Sequence, residues 1–327
     1  MNSSLARDQK SSYTSLMPSF PSPVLLAVPA FITLIILEWW AVKTLRAAGK
    51  YDTRDALASI AMGLGNLGVN LLTGFVGVAL FMWVWQFRLI ELPLSWWSIS
   101  LAFVLYDLIY YWKHRFAHRV RWFWMEHITH HSSEEYNLTT AVRQPWFGPF
   151  TGLILLGLPM VLFGFHPLLI TFVAGLNLVY QYWIHTRAID RMPAWFEAVM
   201  NTPSHHRVHH GINPRYLDRN YAGVFIVWDK LFGTFTEEDP AEPPVYGIVK
   251  QIKSYNPIWI AFHEAVGLIR DCASDGFKPH IWLMRATQPP GWSPDGNHTR
   301  SEDLRQEWLK ALPEGADMMP AQSRPAE

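Results

Sequence analysis

The sequence has 327 residues, half of them apolar and 15% aromatic, and its 27 basic residues balance its 27 acidic residues. No basic block supplies the electrostatic footprint of a nucleic-acid-binding protein, so nucleic acid is excluded as a partner. A single cysteine, Cys272, excludes internal disulfides and a multi-cysteine zinc site, which leaves imidazole and carboxylate as the available metal ligands.

Three regions follow one another along the chain. Residues 1–20 are polar and serine-rich and lack the basic-then-apolar order of a secretory signal, so we expect a disordered tail. Residues 21–285 are predicted to form a membrane-embedded domain. Proline, glycine and charge dominate 286–327, which is predicted to be mostly disordered apart from an amphipathic helix at 301–312.

Long runs with little or no charge predict membrane spans, because a helix needs about 20 apolar residues to cross a bilayer. The runs cover residues 24–42, 56–87, 92–112 and 144–186. The last run has no formally charged residue and would be about 65 Å long as one helix, so it predicts two crossings that turn near His166. The predicted fold is all-α, a polytopic membrane protein of about four to five spans.

The second run also contains the string GLGNLG at 63–68, which matches a dinucleotide-binding fingerprint. That fingerprint requires a preceding strand, whereas this string lies inside an uncharged span. We interpret its glycines as small residues that let helices pack closely.

Basic residues indicate which ends of the spans face the cytoplasm, because cytoplasmic loops carry an excess of Lys and Arg. With five spans, this excess follows the first, third and fifth. The residues are Lys43, Arg46, Lys50, Arg54, Lys113, Arg115, Arg119, Arg121, Arg187 and Arg191. The histidine motifs would then form a helical cap on the cytoplasmic side.

Eleven of the 14 histidines fall between His114 and His210. They include HRFAH at 114–118, HITHH at 127–131, the lone His185 and HHRVHH at 205–210. Residues four apart share a helix face, so His114 and His118 can reach one point. Adjacent histidines diverge by about 100°, which suits two metal ions better than one.

The number of histidines also favours two ions. Zinc takes about four ligands, whereas nine or ten imidazoles suffice for two ions of higher coordination. Imidazole suits iron, copper, nickel and zinc, so ligand type does not choose among them. A membrane zinc hydrolase and a metal transporter are weaker alternatives, because no HExxH motif occurs and the histidines flank the spans instead of lying at mid-membrane.

The order HxxxH, HxxHH and a later HxxHH in a helical membrane protein resembles the fatty acid hydroxylase and sterol desaturase superfamily, over residues 107–235. Beyond the histidines, HITHHSSEEYNLTTAVRQ and NTPSHHRVHHGINPRYLDRNYAGVFIVWDKLFGTF are similar to its alkylglycerol monooxygenase branch. The resemblance implies two iron ions, O2, an external electron donor and a lipid substrate. For that branch it implies an ether lipid, with tetrahydrobiopterin as the reductant.

Carried over position by position, the resemblance implies a set of metal ligands. They are His114, His118, His127, His130, His131, His206, His209 and His210. His185 is expected as a ninth because it ends the hairpin on the same side, and His205 is either a ligand or a residue that orients its neighbour.

Arg119 stands where the alkylglycerol branch tends to carry glutamate directly after HxxxH. Hydroxylation or desaturation of a sterol or a fatty acyl chain therefore remains an open alternative. The membrane would be the inner membrane of a bacterium or the endoplasmic reticulum of a eukaryote.

Polar residues close to the motifs are candidates for orienting the ligand rings, as outer partners of metal ligands do. They are Glu134, Glu135, Asn137, Arg143, Gln144 and Asp229. A solvated loop or a surface turn is the alternative interpretation for this set.

Overall fold

The computed structural model describes residues 20–312 and contains helices but no strands in that part of the chain, so the all-α prediction is confirmed. The predictions for 1–19 and 313–327 lie outside the described residues. The longer helices are α1 Pro23–Thr44, α2 Thr53–Trp85, α3 Trp96–Arg119 and α4 Arg121–His131. After α4 come α5 Leu138–Ala141, α6 Gly148–Thr151, a 3-10 helix Leu153–Gly157, α7 Leu158–Phe163, α8 Pro167–Trp183, α9 Ala194–Glu197 and α10 Pro203–His209. The last are α11 Val227–Leu231, α12 Pro257–Ser274, α13 Pro279–Thr287 and α14 Ser301–Ala311.

Helices α1 and α2 are long and apolar enough to cross a membrane, as far as length and composition decide. Each begins at a side-chain cap, Ser22 for α1 and Asp52 for α2. Their apolar side chains point outward, and Leu71 and Leu72 are both 76% exposed. A contiguous apolar surface of this kind indicates a lipid or protein neighbour rather than water.

The predicted hairpin at 144–186 has two unlike arms. Its turn does lie near His166, whose side chain caps the start of α8. The second arm is the continuous α8, whereas the first is divided into α6, the 3-10 helix and α7. Gly152, with φ +82°, separates α6 from the 3-10 helix, a backbone conformation that favours glycine. The predicted number of spans stays a prediction.

Glycines of the 63–68 string lie where other parts of the chain approach α2 most closely. A Cβ at Gly65 would lie 2.2 Å from the Trp146 ring, and one at Gly63 would lie 2.6 Å from the carbonyl oxygen of Val142. Trp146 also donates a hydrogen bond from Nε1 to the carbonyl of Met62 at 2.9 Å. These contacts support the interpretation of the string as a packing motif.

An apolar core joins α2, α3, α7 and α8 at the end of the bundle away from the histidines. Its most buried members include Ala102, Val161 and Val173, all at 0% exposure. At the other end, α4 packs against α3, His209 of α10 contacts His114 of α3, and His206 of α10 contacts His185, which follows α8. The fold thus holds the histidine motifs at one end of a helical bundle.

Candidate metal centre

The nine histidines predicted as ligands come together in two groups. The five-histidine group consists of His114, His118, His127, His131 and His209. The four-histidine group consists of His130, His185, His206 and His210. Within each group, the candidate ligand atoms, one ring nitrogen per histidine, all lie within 4.8 Å of one another.

Helix geometry explains why adjacent histidines belong to different groups. His130 and His131 end α4, and their side chains diverge by about 100° around its axis. His130 therefore joins the four-histidine group and His131 the five-histidine group, and His209 and His210 divide in the same way. Because α4 and the end of α10 contribute to both groups, the two positions are held at a fixed spacing.

Contacts between ring nitrogens link the members of each group. In the five-histidine group, Nε2 of His127 lies 2.7 Å from Nε2 of His114 and 3.0 Å from Nε2 of His131. In the four-histidine group, Nε2 of His185 lies 3.1 Å from Nε2 of His130 and 3.0 Å from Nε2 of His206. Nitrogens from separate helices thus converge on two common points.

Four of the rings are oriented by a partner at Nδ1. The pairs are His114 with the carbonyl of Tyr221 at 2.7 Å, His185 with the carbonyl of Gln181 at 2.7 Å, His209 with the carbonyl of Arg219 at 2.9 Å, and His118 with the carboxylate of Asp218 at 3.3 Å. Carbonyl and carboxylate oxygens accept hydrogen bonds, so Nδ1 carries the proton. The Nε2 lone pair is then free to bind a metal.

Asp218 links His118 of the five-histidine group to Arg119 of α3. Besides His118, it contacts Arg119 Nη1 at 3.3 Å, and Arg119 also pairs with Glu302 of α14. Burial alone would raise the pKa of Asp218, but its hydrogen bond with His118 and the charge of Arg119 hold that pKa below its ordinary value. Arg119, which directly follows HRFAH, therefore supports a carboxylate that orients a histidine.

The backbone that accepts from His114 and His209 is held in place by two buried carboxylates. Asp229 accepts hydrogen bonds from the backbone N–H of Tyr221 at 2.8 Å and of Ala222 at 2.7 Å. Asp107, within α3, accepts from the backbone N–H of Val224 at 2.8 Å. Burial raises the pKa of Asp229 to about 6. Asp229 thus acts on the rings through the 219–224 loop, without contacting them.

Burial keeps the histidines neutral. It lowers the pKa of His130, His131, His206 and His210 well below the ordinary value, and neighbouring histidines lower it further. Burial likewise lowers the pKa of His185 to about 4. Neutral imidazole is the form that binds metal ions.

His205 lies outside both groups. Its ring packs against Phe235 with centroids 5.3 Å apart, and its carbonyl accepts a hydrogen bond from Asn220 Nδ2 at 2.9 Å. Burial lowers the pKa of His205 to about 4, against the opposing charge of Glu197. Of the two roles considered for His205, the geometry does not favour that of a ligand.

The polar residues after HITHH mainly hold the chain around α4. Glu135 pairs with Lys50 at 2.5 Å, Asn137 caps α5, and Gln144 donates to the carbonyl of Ala141 at 2.7 Å. Glu134 is exposed. Their hydrogen bonds go to the backbone or to residues outside the histidine groups.

Arg143 has a closer connection to the histidines. It is 1% exposed and pairs with Asp55 of α2 at 3.0 Å. Its Nε donates to the carbonyl of Thr129 at 3.2 Å and to Oγ of Ser132 at 3.0 Å. A buried ion pair therefore fixes the end of α4, which bears His130 and His131.

Sequence reasoning missed Asp218 and the three carbonyls that orient rings. Asp218 and Asn220 both have positive φ, 56° and 53°. Asp and Asn adopt this region more readily than most residues, so the string LDRN at 217–220 could have predicted a sharp turn next to HRVHH. The backbone carbonyls leave no signal in the sequence.

The residues fit a pair of metal ions. Among the described residues, neither group contains a carboxylate or a cysteine, and each offers at least four neutral imidazoles. A single zinc ion would use about four ligands and would leave the second group unexplained. An all-imidazole set suits iron, copper, nickel and zinc, so the arrangement supports two transition metals without choosing their identity.

Comparison with known proteins identifies relatives for the whole site. Residues 99–234 match the fatty acid hydroxylase family. Alkylglycerol monooxygenase of Homo sapiens is 40% identical over 280 residues, which cover 84% of this chain and 61% of that protein. The Caenorhabditis elegans protein of that name is 35% identical over 75% of this chain and 50% of its own length. Lathosterol oxidase of Rattus norvegicus is 28% identical over 44% of this chain and 48% of that protein.

The chain spans about three fifths of the length of the vertebrate alkylglycerol monooxygenases that it matches. The matched family segment begins in α3 and ends at Thr234, so it includes both histidine groups. No solved structure matches the chain. The resemblance to the superfamily and to its alkylglycerol branch is confirmed.

Proposed function

Because residues 99–234 match the fatty acid hydroxylase family, we propose that this chain is a membrane oxygenase with a di-iron centre. It hydroxylates a C–H bond of a lipid with O2. The observation that carries this proposal is the convergence of nine buried or half-buried imidazoles into two groups that share α4 and the end of α10.

The two histidine groups would each hold one iron ion. Two iron ions bound there, with O2 and an external electron donor, supply the oxidising power needed to attack an unactivated C–H bond. The rings bind through neutral nitrogens, and Asp218 and the carbonyls of Gln181, Arg219 and Tyr221 fix the protons of four rings on the side away from the metals. Burial of the rings excludes water from the centre, which protects the reaction from side reactions.

An ether lipid is the substrate we favour, with tetrahydrobiopterin as the reductant. The relatives of highest identity reported above are alkylglycerol monooxygenases, whereas the lathosterol oxidase match is weaker and shorter. Arg119 does not argue against this substrate, because its positive charge is paired with Asp218 and Glu302. Hydroxylation or desaturation of a sterol or fatty acyl chain is the alternative within the same family.

The membrane is the proposed location of the protein and of its substrate. The exposed apolar faces of α1 and α2 support insertion, and we propose that α3 and α8 also lie in the bilayer within a domain of residues 21–285. Basic residues after α1, α3 and α8 support a cytoplasmic position for the histidine end. A lipid would then reach the centre laterally from the bilayer.

The test is oxidation of defined lipids by the purified, detergent-solubilised protein with iron, tetrahydrobiopterin and isotopically labelled O2. We expect an alkylglycerol to yield a labelled aldehyde. A labelled sterol or acyl product would instead support the alternative substrates. Hydrolysis without uptake of label, by protein that holds one zinc per chain, would contradict the proposed function.

A further inference from the structure

The nine histidines differ in their exposure. Eight are buried, whereas His127 is only half-buried. Lys113 and Glu126 also keep accessible side-chain surface, and Glu126 immediately precedes His127. The side of the five-histidine group that His127 lines is therefore its least enclosed side.

Tyr110 lies in α3 between the apolar core, which includes Ala102, and His114. It is one helical turn before His114 in α3, and the two rings have centroids 5.4 Å apart. Gln181, in α8, is four residues before His185, and its side chain lies near the Tyr110 hydroxyl. Tyr110 and Gln181 thus lie between α3 and α8, about one helical turn from the histidine groups. Polar side chains within membrane helices commonly mark substrate pathways.

A chain of hydrogen bonds leads from Asp107 through Asn177 to the Gln181 amide beside Tyr110. Asn177 Nδ2 donates to Asp107 Oδ1 at 2.6 Å, and Gln181 Nε2 donates to Asn177 Oδ1 at 2.6 Å. An amide nitrogen has two protons, so Gln181 can also donate to the Tyr110 oxygen. The hydroxyl proton of Tyr110 is then available for another acceptor.

The 219–224 loop holds Tyr110 in this position. A Cβ at Gly223 would lie 2.8 Å from Cδ1 of Tyr110 and 2.8 Å from Oδ1 of Asp107. Only glycine lets the loop pack this closely, so the loop that orients His114 also confines the Tyr110 ring. Tyr110 is half-buried and keeps accessible surface despite this packing.

We propose that the Tyr110 hydroxyl donates a hydrogen bond to an oxygen atom of the lipid substrate and thereby selects the carbon that is oxidised. This inference rests on the proposed function and names the substrate class: a lipid with an acceptor oxygen beside the reacting carbon. Tyr110 binds and positions this oxygen. An apolar chain without an oxygen gains nothing from this contact.

The experiment compares an alkylglycerol with its analogue in which a methylene replaces the ether oxygen. In the unaltered protein, KM for the ether should be about five- to tenfold lower than for the analogue, the usual range for one hydrogen bond. Tyr110→Phe should raise KM for the ether to that of the analogue and should spread oxidation over neighbouring carbons. KM for the analogue should not change.

Tyr182→Phe is the matched control. Tyr182 is also a buried tyrosine, next to Gln181 in sequence, but its hydroxyl donates to the carbonyl of Phe31 at 2.7 Å. Its loss should leave the preference for the ether intact. Gln181→Met, which removes the donor to Tyr110, should reduce the preference without abolishing it, and it serves as the second variant if Tyr110→Phe is unstable.

Iron content and thermal unfolding separate positioning from folding. An unchanged preference for the ether in Tyr110→Phe, at normal iron content, would overturn the inference and leave the proposed function standing. Equal losses on both substrates would also overturn it, because they indicate a structural role. If the unaltered protein oxidises neither substrate nor any other lipid, the proposed function itself fails.

Discussion

The two histidine groups both draw on HITHH and HRVHH but are supported differently. In the five-histidine group, Asp218 and the carbonyls of Arg219 and Tyr221 orient three rings, and all three partners lie in one loop. In the four-histidine group, one ring, that of His185, is oriented by the carbonyl of Gln181 in the preceding helix α8. The five-histidine group also contains the one half-buried ring, His127.

This difference indicates that the two groups depend on different parts of the fold. The four-histidine group is enclosed by the bundle, and we expect it to depend on packing. The five-histidine group includes the least enclosed ring and depends on a loop that must be held by Asp107 and Asp229. Changes in the loop should therefore affect one metal position, whereas changes in α4 should affect both.

The largest expected effect comes from removal of a ligand of the enclosed group. His206→Ala leaves that group with three imidazoles, so we expect iron to fall from two to one per chain and activity to fall more than about a hundredfold, beyond the effect of losing an outer partner. Iron analysis and lipid oxidation measure both quantities. His205→Ala, one residue earlier in α10 but outside both groups, should retain two irons, and equal losses in the two variants would contradict the division into groups.

The second effect tests the element that both groups share. Arg143→Leu leaves Asp55 buried without its partner, which should lower the free energy of unfolding by about 3–5 kcal/mol. Because Arg143 fixes the end of α4, iron should be lost from both positions together. Chemical denaturation and iron analysis follow the change, and the double variant Asp55→Leu with Arg143→Leu should recover much of the stability. Loss of only one iron would show that α4 does not couple the groups.

Some residues of the candidate metal centre could be predicted from the sequence, and others could not. HRFAH, HITHH and HRVHH predicted how the histidines within one motif point, because residues four apart share a helix face and adjacent residues diverge. His185 was found from its place at the end of an uncharged run. The resemblance to the superfamily implied that the three motifs meet, and whether their side chains bind metal remains a prediction.

The partners of the rings could not be predicted in the same way. Three are backbone carbonyls, which every residue possesses, and Asp218 meets His118 across 100 positions of sequence. Proximity in sequence suggested Glu134, Glu135, Asn137 and Gln144, whose hydrogen bonds and ion pairs go elsewhere. The tertiary fold decides which loop packs against a histidine group. Local sequence patterns therefore carry little information about the hydrogen-bond partners of the rings.

A third effect should separate the two groups. Asp218→Asn removes the charge that faces His118, so iron at the five-histidine group should bind about ten- to a hundredfold more weakly. Iron at the four-histidine group should be retained, which equilibrium titration with a chelator can resolve. Asp190→Asn is a suitable control because the Asp190 side chain is 98% exposed. Parallel weakening of both irons would contradict the asymmetry.

The smallest expected effect concerns a residue that sequence proximity favoured. Gln144 donates to the carbonyl of Ala141 and has no hydrogen bond to a histidine ring within the described part of the chain. Gln144→Ala should change the free energy of unfolding by no more than about 0.5 kcal/mol and leave iron content unchanged. Thermal unfolding and iron analysis check this. Loss of either iron would show that Gln144 does support the histidine ligands.

The metal content and metal environment of the purified full chain test the central claim most directly. We expect two irons per chain, with X-ray absorption showing nitrogen ligands and an iron–iron interaction. One zinc per chain, or two irons bound mainly by oxygen ligands, would contradict the assignment of the two histidine groups as a di-iron centre.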